Sequence, residues 1–348
     1  MANILDIRRR IRSVINTRQI TKAMKMVSAA KLRRAQDRAL SARPYAQMLT
    51  NVLKSLVSRA EVYDPETGEP KHPLLAQRAE NRILLIVVTG DKGLAGAFNT
   101  NILKAASRFL ESKADKNIEI EAIGRKGRDF LRRRYATAEP RQPDSQETFR
   151  TTLIGEHIGV LNKVDYATAA GLADRIIERY SNEEIDAVYL LYNEFKSVIA
   201  QRLIVEQVLP IEQVGEVGIA QAEEMGLQEK KRAIEAARDS GVSLRGPDTH
   251  AIDAAAEKFA TAQVDYIYEQ PPDELFRSLL PKYVNIQIFH ALLESVAAEH
   301  AARMTAMESA TNNATDMIDS LTLAMNRARQ AKITKEIIEI VSGAAAAG

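Results

Sequence analysis

The stretch "TGDKGLAGAFN" (residues 89–99) is the first place where residue types and spacing could do chemistry. It follows an apolar strand pattern and precedes a helical one, which is where phosphate-binding loops lie. Its glycines, Gly90, Gly93 and Gly96, do not form GxGxxG, and no GK[ST] follows. The alternative is a tight strand-to-helix turn with close backbone packing. We therefore predict no cofactor-binding residues here.

Other catalytic and metal-binding patterns are also missing from the sequence. The five histidines form no HExxH and no i,i+4 ligand pair, which argues against a metal site. They are His72, His157, His250, His290 and His300. No GxSxG is present, and the absence of cysteine excludes disulfides, thiolate catalysis and cysteine-based metal centres. The sequence predicts a chain that is not an enzyme by itself, with no catalytic, cofactor or metal residues.

The amino-terminal region is strongly basic, although the whole chain has a net charge of only +2. Residues 1–43 carry twelve lysines and arginines against Asp6 and Asp37. Three interpretations are open: a solvated helix face, contact with an acidic surface on another protein, or nucleic-acid binding. The last is weakened because no aromatic residues are interleaved with the basic ones.

Membrane segments are not predicted. The longest apolar run, "ILLIVV" (residues 83–88), is far shorter than the roughly 20 residues that a spanning helix needs. No apolar stretch follows the basic amino terminus, so no signal peptide is predicted. We expect the protein to stay in the compartment where it is made, without direct membrane insertion and with any attachment made through partners.

Periodicity predicts two long helices around an open α/β sheet. Apolar spacing indicates a helix from residue 4 to about 58, broken only at Pro44, where a kink could occur. Strand and helix patterns alternate from residue 82, and the last two strands are joined too closely for a parallel crossover, so we expect them to be antiparallel. The predicted segments are an amino-terminal coiled-coil helix (1–62), a linker (63–81), an open α/β Rossmann-like domain (82–212), an exposed polar helical insertion (213–261), a return segment (262–283) and a carboxy-terminal coiled-coil helix (284–342).

The last helix is predicted to run from about Tyr283 to Val341, roughly 90 Å at 1.5 Å per residue. Apolar residues recur every seven positions, and many are alanine, which lets another helix approach closely. One track is Phe289, Val296, Arg303, Ala310, Met317, Ala324, Ala331 and Ile338; the second is Leu293, His300, Met307, Ala314, Leu321, Ala328 and Lys335. We predict an antiparallel coiled coil with the amino-terminal helix.

Three blocks resemble the gamma subunit family of F-type ATP synthases: residues 7–36, residues 90–99 and residues 299–346. The resemblance implies a central rotor shaft inside a ring of alternating alpha and beta subunits, with the α/β domain as its foot. The partners it implies are the alpha and beta subunits, the epsilon subunit and the c ring, with no nucleic acid. It also implies that proton flow drives the shaft, that ATP chemistry belongs to beta, and that the protein is peripheral on the cytoplasmic side of a bacterial inner membrane.

The resemblance further implies contacts with the alpha and beta ring. The implied contact residues are Met24, Lys25, Arg303, Gln330, Thr334, Ile337, Ile338 and Val341. The first two match the shaft segment that meets an acidic lever loop of beta, and the last three lie in an apolar end that could turn in an apolar collar. The alternative for each is an ordinary seam or surface residue.

Two departures from the family pattern are visible. The insertion at 213–261 is longer than in compact bacterial members, and 95–97 reads Ala-Gly-Ala where the family often has Cys-Gly-Gly. The insertion could brake rotation, touch epsilon or be solvated decoration. Two rival functions also stay open: a nucleotide-binding α/β enzyme with helical arms, and a basic coiled-coil adaptor for nucleic acid.

Overall fold

The structure is a computed structural model that describes residues 4–57, 64, 66, 70–137, 151–199, 201–212, 218–244 and 269–347. Its helices are α1 (Ile4–Val57), α2 (Phe98–Ser112), α3 (Arg125–Arg134), α4 (Tyr166–Ser181), α5 (Leu227–Ser240) and α6 (Pro272–Ala347). Its strands are β1 (Arg82–Val88), β2 (Asn117–Ile123), β3 (Ala136–Thr137), β4 (Thr151–His157), β5 (Ala187–Phe195), β6 (Gln201–Leu209) and β7 (Gly218–Glu224). Parts of the predicted linker, and residues 245–268 of the predicted insertion and return segment, lie outside the described residues.

The strands form one sheet in the order β3-β4-β2-β1-β5-β6-β7. Strand β1 is parallel to β2 and to β5, while β5 and β6 are antiparallel, as the short link between them predicted. Alternate residues of β1 enter the two cores of the sheet: Leu84 and Ile86 face α4, and Ile83 and Leu85 face α2. Because β1 is buried on both faces, it reads as a continuous apolar run, as central parallel strands do.

The predicted insertion differs from the structure in two respects. Residues 218–224, part of a predicted helix, form strand β7, which pairs antiparallel with β6. Alanine and glutamate favour helix, but the open edge of β6 offers a full row of backbone partners, and tertiary pairing overrides weak propensity. Helix α5 follows, and it is not solvated decoration because Ala233, Ala236 and Ala237 are buried in the core shared with α2 and α6.

Helix α6 begins at Pro272, earlier than the predicted start near Tyr283. Pro281 lies inside the helix and has no N–H to donate to the carbonyl of Arg277. Burial lowers the pKa of His72, and a hydrogen bond between its ring and the backbone of Arg277 opposes that shift. The same ring accepts a hydrogen bond from the Leu74 N–H at 3.2 Å, so the segment before β1 is fastened to α6 at this proline.

Helices α1 and α6 pack side by side in opposite directions, which confirms the predicted antiparallel pairing. The hydroxyls of Thr21 and Thr311 are 2.8 Å apart, and Lys25 forms an ion pair with Glu308. In an antiparallel pair, equal numbers of residues in opposite directions from Thr21 and Thr311 stay side by side. The first described residue of α1, Ile4, is seventeen residues before Thr21, and it therefore lies level with Ala328, seventeen residues after Thr311. Beyond that point α6 extends past α1, and residues 331–342 are all exposed. The distal part of the predicted heptad seam therefore lacks a partner helix within the described chain.

Candidate functional site

The distal end of α6 carries an exposed apolar surface, which we call the tip and define as residues 330–341. Within it, Gln330, Thr334, Ile337, Ile338 and Val341 are all exposed, as contact residues would have to be. The structure adds two exposed apolar residues that the prediction did not include, Ile333 and Ile340. The tip's isoleucines and valine are 46–70% exposed. Ile333 and Ile340 could have been identified from the sequence, because they belong to the same run of apolar residues near the end of α6.

Met24 and Lys25 lie farther along the shaft and differ in their surroundings. Met24 is half-buried, whereas the Lys25 side chain is only 9% exposed. The Lys25 ammonium forms an ion pair with Glu308, whose side chain is 6% exposed. It also lies 3.8 Å from the carboxylate of Asp239, which is in the last turn of α5. Lys25 thus joins α1, α6 and α5, a role that sequence reasoning missed.

Arg303 is placed where α6 crosses the carboxyl ends of the parallel strands. Its guanidinium lies 2.5 Å from Glu299 Oε1 and donates to the Gly93 carbonyl at 3.4 Å. A Cβ at Gly90 would lie 2.7 Å from the same Glu299 oxygen. The glycine-rich loop is therefore pressed against α6, which supports the interpretation of close backbone packing over that of a phosphate loop.

Asp91 fastens the loops at this edge of the sheet to one another. Its carboxylate accepts hydrogen bonds from the Arg125 N–H at 3.0 Å, the Gly159 N–H at 3.1 Å and the Asn162 amide at 3.1 Å. A single carboxylate thereby connects the segments after β1, β2 and β4. An aspartate three residues after a buried strand was the available signal, but its partners are far away in sequence.

Two titratable groups have strongly shifted pKa values: the partly buried His300 on α6 and the buried Glu206 on β6. Burial lowers the pKa of His300 to about 4, and the nearby charges of Arg303 and Lys31 lower it as well. Burial raises the pKa of Glu206 to about 7, although a hydrogen bond of 2.9 Å from the Tyr192 hydroxyl opposes that rise. At neutral pH His300 is therefore uncharged, and the neighbouring Arg303 and Lys31 supply the positive charge around it.

Neither a metal centre nor a membrane span is found in the part of the chain that the structure describes. No three residues among its histidines, aspartates and glutamates are grouped so that they could hold a metal ion. None of its helices combines the length and the apolar character needed to cross a membrane.

Comparisons with known proteins agree along the full chain. The family model described as "ATP synthase" matches residues 3–347. Proteins named "ATP synthase gamma chain" are similar to it: one from Solibacter usitatus is 51% identical, covering 100% of both chains, and one from Geobacter metallireducens is 45% identical, covering 99% of this chain and 98% of the relative.

A solved structure of Euglena gracilis mitochondrial ATP synthase, comprising OSCP, F1 and c-ring, contains a chain with a similar fold. The TM-score is 0.52 at 18% identity, and the alignment covers 99% of this chain and 94% of that one. That likeness concerns the fold alone, whereas the full-length sequence matches are specific. Together with the antiparallel shaft on an α/β foot, they show that the chain belongs to the ATP synthase gamma chain family.

Proposed function

We propose that this chain is the central rotary shaft of an F-type ATP synthase, coupling proton flow through a membrane c ring to conformational cycling of catalytic beta subunits. The observation that carries the proposal is the tip, an apolar helix end that extends beyond α1 and is exposed in the chain alone. Because apolar contact is non-directional, such an end can turn inside an apolar collar without breaking specific hydrogen bonds. The full-length gamma chain relatives support this function.

The interior of the shaft favours the transmission of torque. Buried polar contacts have fixed geometry, and here they link α1 to α6 through Lys25 and Glu308, and α6 to the foot through Arg303. Small seam residues such as Ala29 and Ala301 are buried and allow close approach of the helices. Torque applied to the foot would therefore reach the tip with little sliding between the helices.

The proposed partners are the alpha and beta subunits around the shaft, with the epsilon subunit and the c ring at the foot. For contacts with the ring we propose the eight residues identified by resemblance, namely Met24, Lys25, Arg303, Gln330, Thr334, Ile337, Ile338 and Val341. The exposed tip positions favour direct contact. Lys25 and Arg303 would act mainly by holding the shaft together, because their charges are already paired within the chain.

We place the protein at the cytoplasmic side of a bacterial inner membrane, bound there through its partners. The bacterial sources of the full-length relatives support this location. ATP chemistry would occur in the beta subunits, with this chain setting their conformations in turn.

Reconstitution of the full-length chain with alpha and beta subunits tests the function. We expect co-assembly, ATP turnover that depends on this chain, and rotation of a probe attached to the foot. The pair Ile337→Asp/Ile338→Asp should weaken assembly, while the control Glu336→Asp/Glu339→Asp on the same turns should not. Unchanged turnover without the chain, or no co-assembly, would refute the proposal.

The two rival functions predict different results. A nucleotide-binding enzyme would bind dinucleotide as an isolated chain, but the loop that would hold the phosphates is in contact with Glu299. A nucleic-acid adaptor would bind DNA tightly and with strong salt dependence. Specific binding of either kind would favour the corresponding rival.

A further inference from the structure

We propose that a cavity at the junction of shaft and foot binds a small tetrahedral oxyanion, either inorganic phosphate or a single phosphoryl group. The cavity has a volume of about 180 Å³ and lies between α1, α6 and the loops that follow β1 and β4. It differs from the proposed ring contacts at the tip, and the proposal does not depend on rotation.

The position of the cavity in the fold is one where α/β proteins place ligands. From β1 the chain proceeds to β2 and β4 on one side, and then crosses to β5 on the other side of β1. Helices α2 and α4 accordingly lie on opposite faces of the sheet and diverge at its carboxyl edge. Ligands of open α/β sheets bind in the crevice at such a switch point. Here α1 and α6 lie over that crevice. The cavity between them is partly open to solvent, and its cations Lys31, Arg34, Arg38 and Lys92 are exposed.

The lining of the cavity carries an excess of positive charge. Its cations are Lys31, Arg34, Arg38, Lys92 and Arg303, and its acids are Asp91 and Glu299. Both acids are engaged: Asp91 accepts three hydrogen bonds from the surrounding loops, and Glu299 is paired with Arg303. Among the residues that the structure describes, the ion pairs in this region join Lys25 to Asp239 and Glu308, and Arg303 to Glu299, and none includes Lys31, Arg34 or Lys92.

Three separate elements supply these cations, so their convergence is a feature of the fold and not of one basic segment. Lys31 and Arg34 come from α1, Lys92 from the loop after β1, and Arg303 from α6. Lysine and arginine are the side chains that bind phosphate oxygens, through charge-assisted hydrogen bonds. The pKa of His300, lowered by burial and by Arg303 and Lys31, supports a positive potential at this wall.

The size of the cavity decides the class of anion. Pockets for drug-sized ligands usually measure about 300–1,000 Å³, whereas this one measures about 180 Å³. A whole nucleotide is therefore disfavoured, and a single phosphate group fits. Once bound, the anion would bridge α1, α6 and the foot, and so stiffen the junction through which torque passes.

Calorimetric titration of the purified full-length chain with inorganic phosphate, at an ionic strength held constant with sodium chloride, tests the proposal. We expect one saturable site. Lys31→Gln/Arg34→Gln should weaken binding about tenfold or more, since two charge-assisted contacts are removed. The control Arg12→Gln/Lys22→Gln removes two exposed α1 charges outside the cavity and should leave affinity within about twofold.

A second measurement keeps the proposal testable if the double variant does not fold. In the unmodified chain, a phosphate dianion beside Arg303 and Lys31 should raise the pKa of His300 from about 4, as followed by NMR. Absence of saturable phosphate binding, equal loss in both double variants, or an unmoved His300 titration would overturn the proposal. Binding of an acidic peptide in place of phosphate would overturn it too.

Discussion

The ion pair between Lys25 and Glu308 gives the sharpest test of what holds the shaft together. Replacing Lys25 by methionine keeps the length and apolar stem of the side chain but removes its charge. Glu308, with a side chain only 6% exposed, would then be a buried carboxylate without its partner. Removing one member of a buried pair typically costs about 3–5 kcal/mol, because the remaining charge is desolvated and uncompensated.

The reverse substitution should cost less. In Glu308→Leu the lysine keeps a second acid, Asp239, 3.8 Å away and with its side chain 64% exposed. Replacing both residues, Lys25→Met/Glu308→Leu, removes both desolvation penalties, and such apolar replacements are commonly neutral or stabilising. The double variant should therefore lie within about 1 kcal/mol of the unmodified chain, far from the sum of the single effects.

Urea denaturation of the four full-length chains, followed by far-UV circular dichroism, measures these free energies. A cost of about 3–5 kcal/mol changes the unfolding constant by roughly 10² to 10⁴. Lys22→Met, an exposed lysine on the same helix, should change stability by less than about 0.5 kcal/mol. A cost below about 1 kcal/mol for Lys25→Met, together with additive single effects, would refute the argument that this pair is buried and strongly coupled.

Three other outcomes are expected. Gly124→Ala should lower the free energy of unfolding, measured by urea denaturation, by more than about 3 kcal/mol, because Gly124 has φ of +93° and the added Cβ would lie 1.9 Å from a backbone oxygen. The control Gly171→Ala has open space around the added Cβ and should be neutral or stabilising. Burial raises the pKa of Glu206 from 4.5 to about 7, so between these pH values the folded state keeps a proton that the unfolded chain has lost. The contribution of Glu206 to the free energy of unfolding is therefore fully present below pH 4.5. It should fall by about 3 kcal/mol as the pH rises to and through 7. Glu206→Gln should remove that pH dependence in the same denaturation assay; an unchanged dependence would contradict it. Met24→Lys should impair proton-driven ATP synthesis, because it adds a charge to a basic, half-buried part of the shaft. The control Met26→Lys, at an exposed position, should not impair it. Normal synthesis in Met24→Lys would contradict the proposed contact.

The long helices and the central strands could be predicted from the sequence because their signals are local. Apolar periodicity over some fifty residues marks α1, and an unbroken apolar run marks β1. The antiparallel pairing of α1 and α6 was predicted from geometry, because the two terminal helices have to pack along one shaft and still leave room for a protruding tip. The direction of β6 against β5 followed from the short link.

Other features depended on partners that are distant in sequence. Strand β7 has the composition of a helix, and only the open edge of β6 makes it a strand. The early start of α6 places Pro281 inside the helix, next to a contact between the backbone of Arg277 and His72, which is distant in sequence. The pairing of Lys25 with Glu308 could not be derived without the register of the two helices. The cations of the cavity likewise come from α1, the loop after β1 and α6, which are far apart in the sequence.

The middle and the distal end of α6 use opposite kinds of contact, and the difference has a mechanical reason. Near the foot, Arg303 and Glu308 make directional polar contacts, which are strong where water is excluded and which resist sliding. At the tip, four isoleucines and Val341 are exposed, and burying each would contribute about 1.5–3 kcal/mol. Without α1 beside it, the tip helix is only marginally stable in water, so a surrounding apolar surface would stabilise it. Because that stabilisation has no preferred angle, a shaft built this way can be rigid inside and still turn against its surroundings.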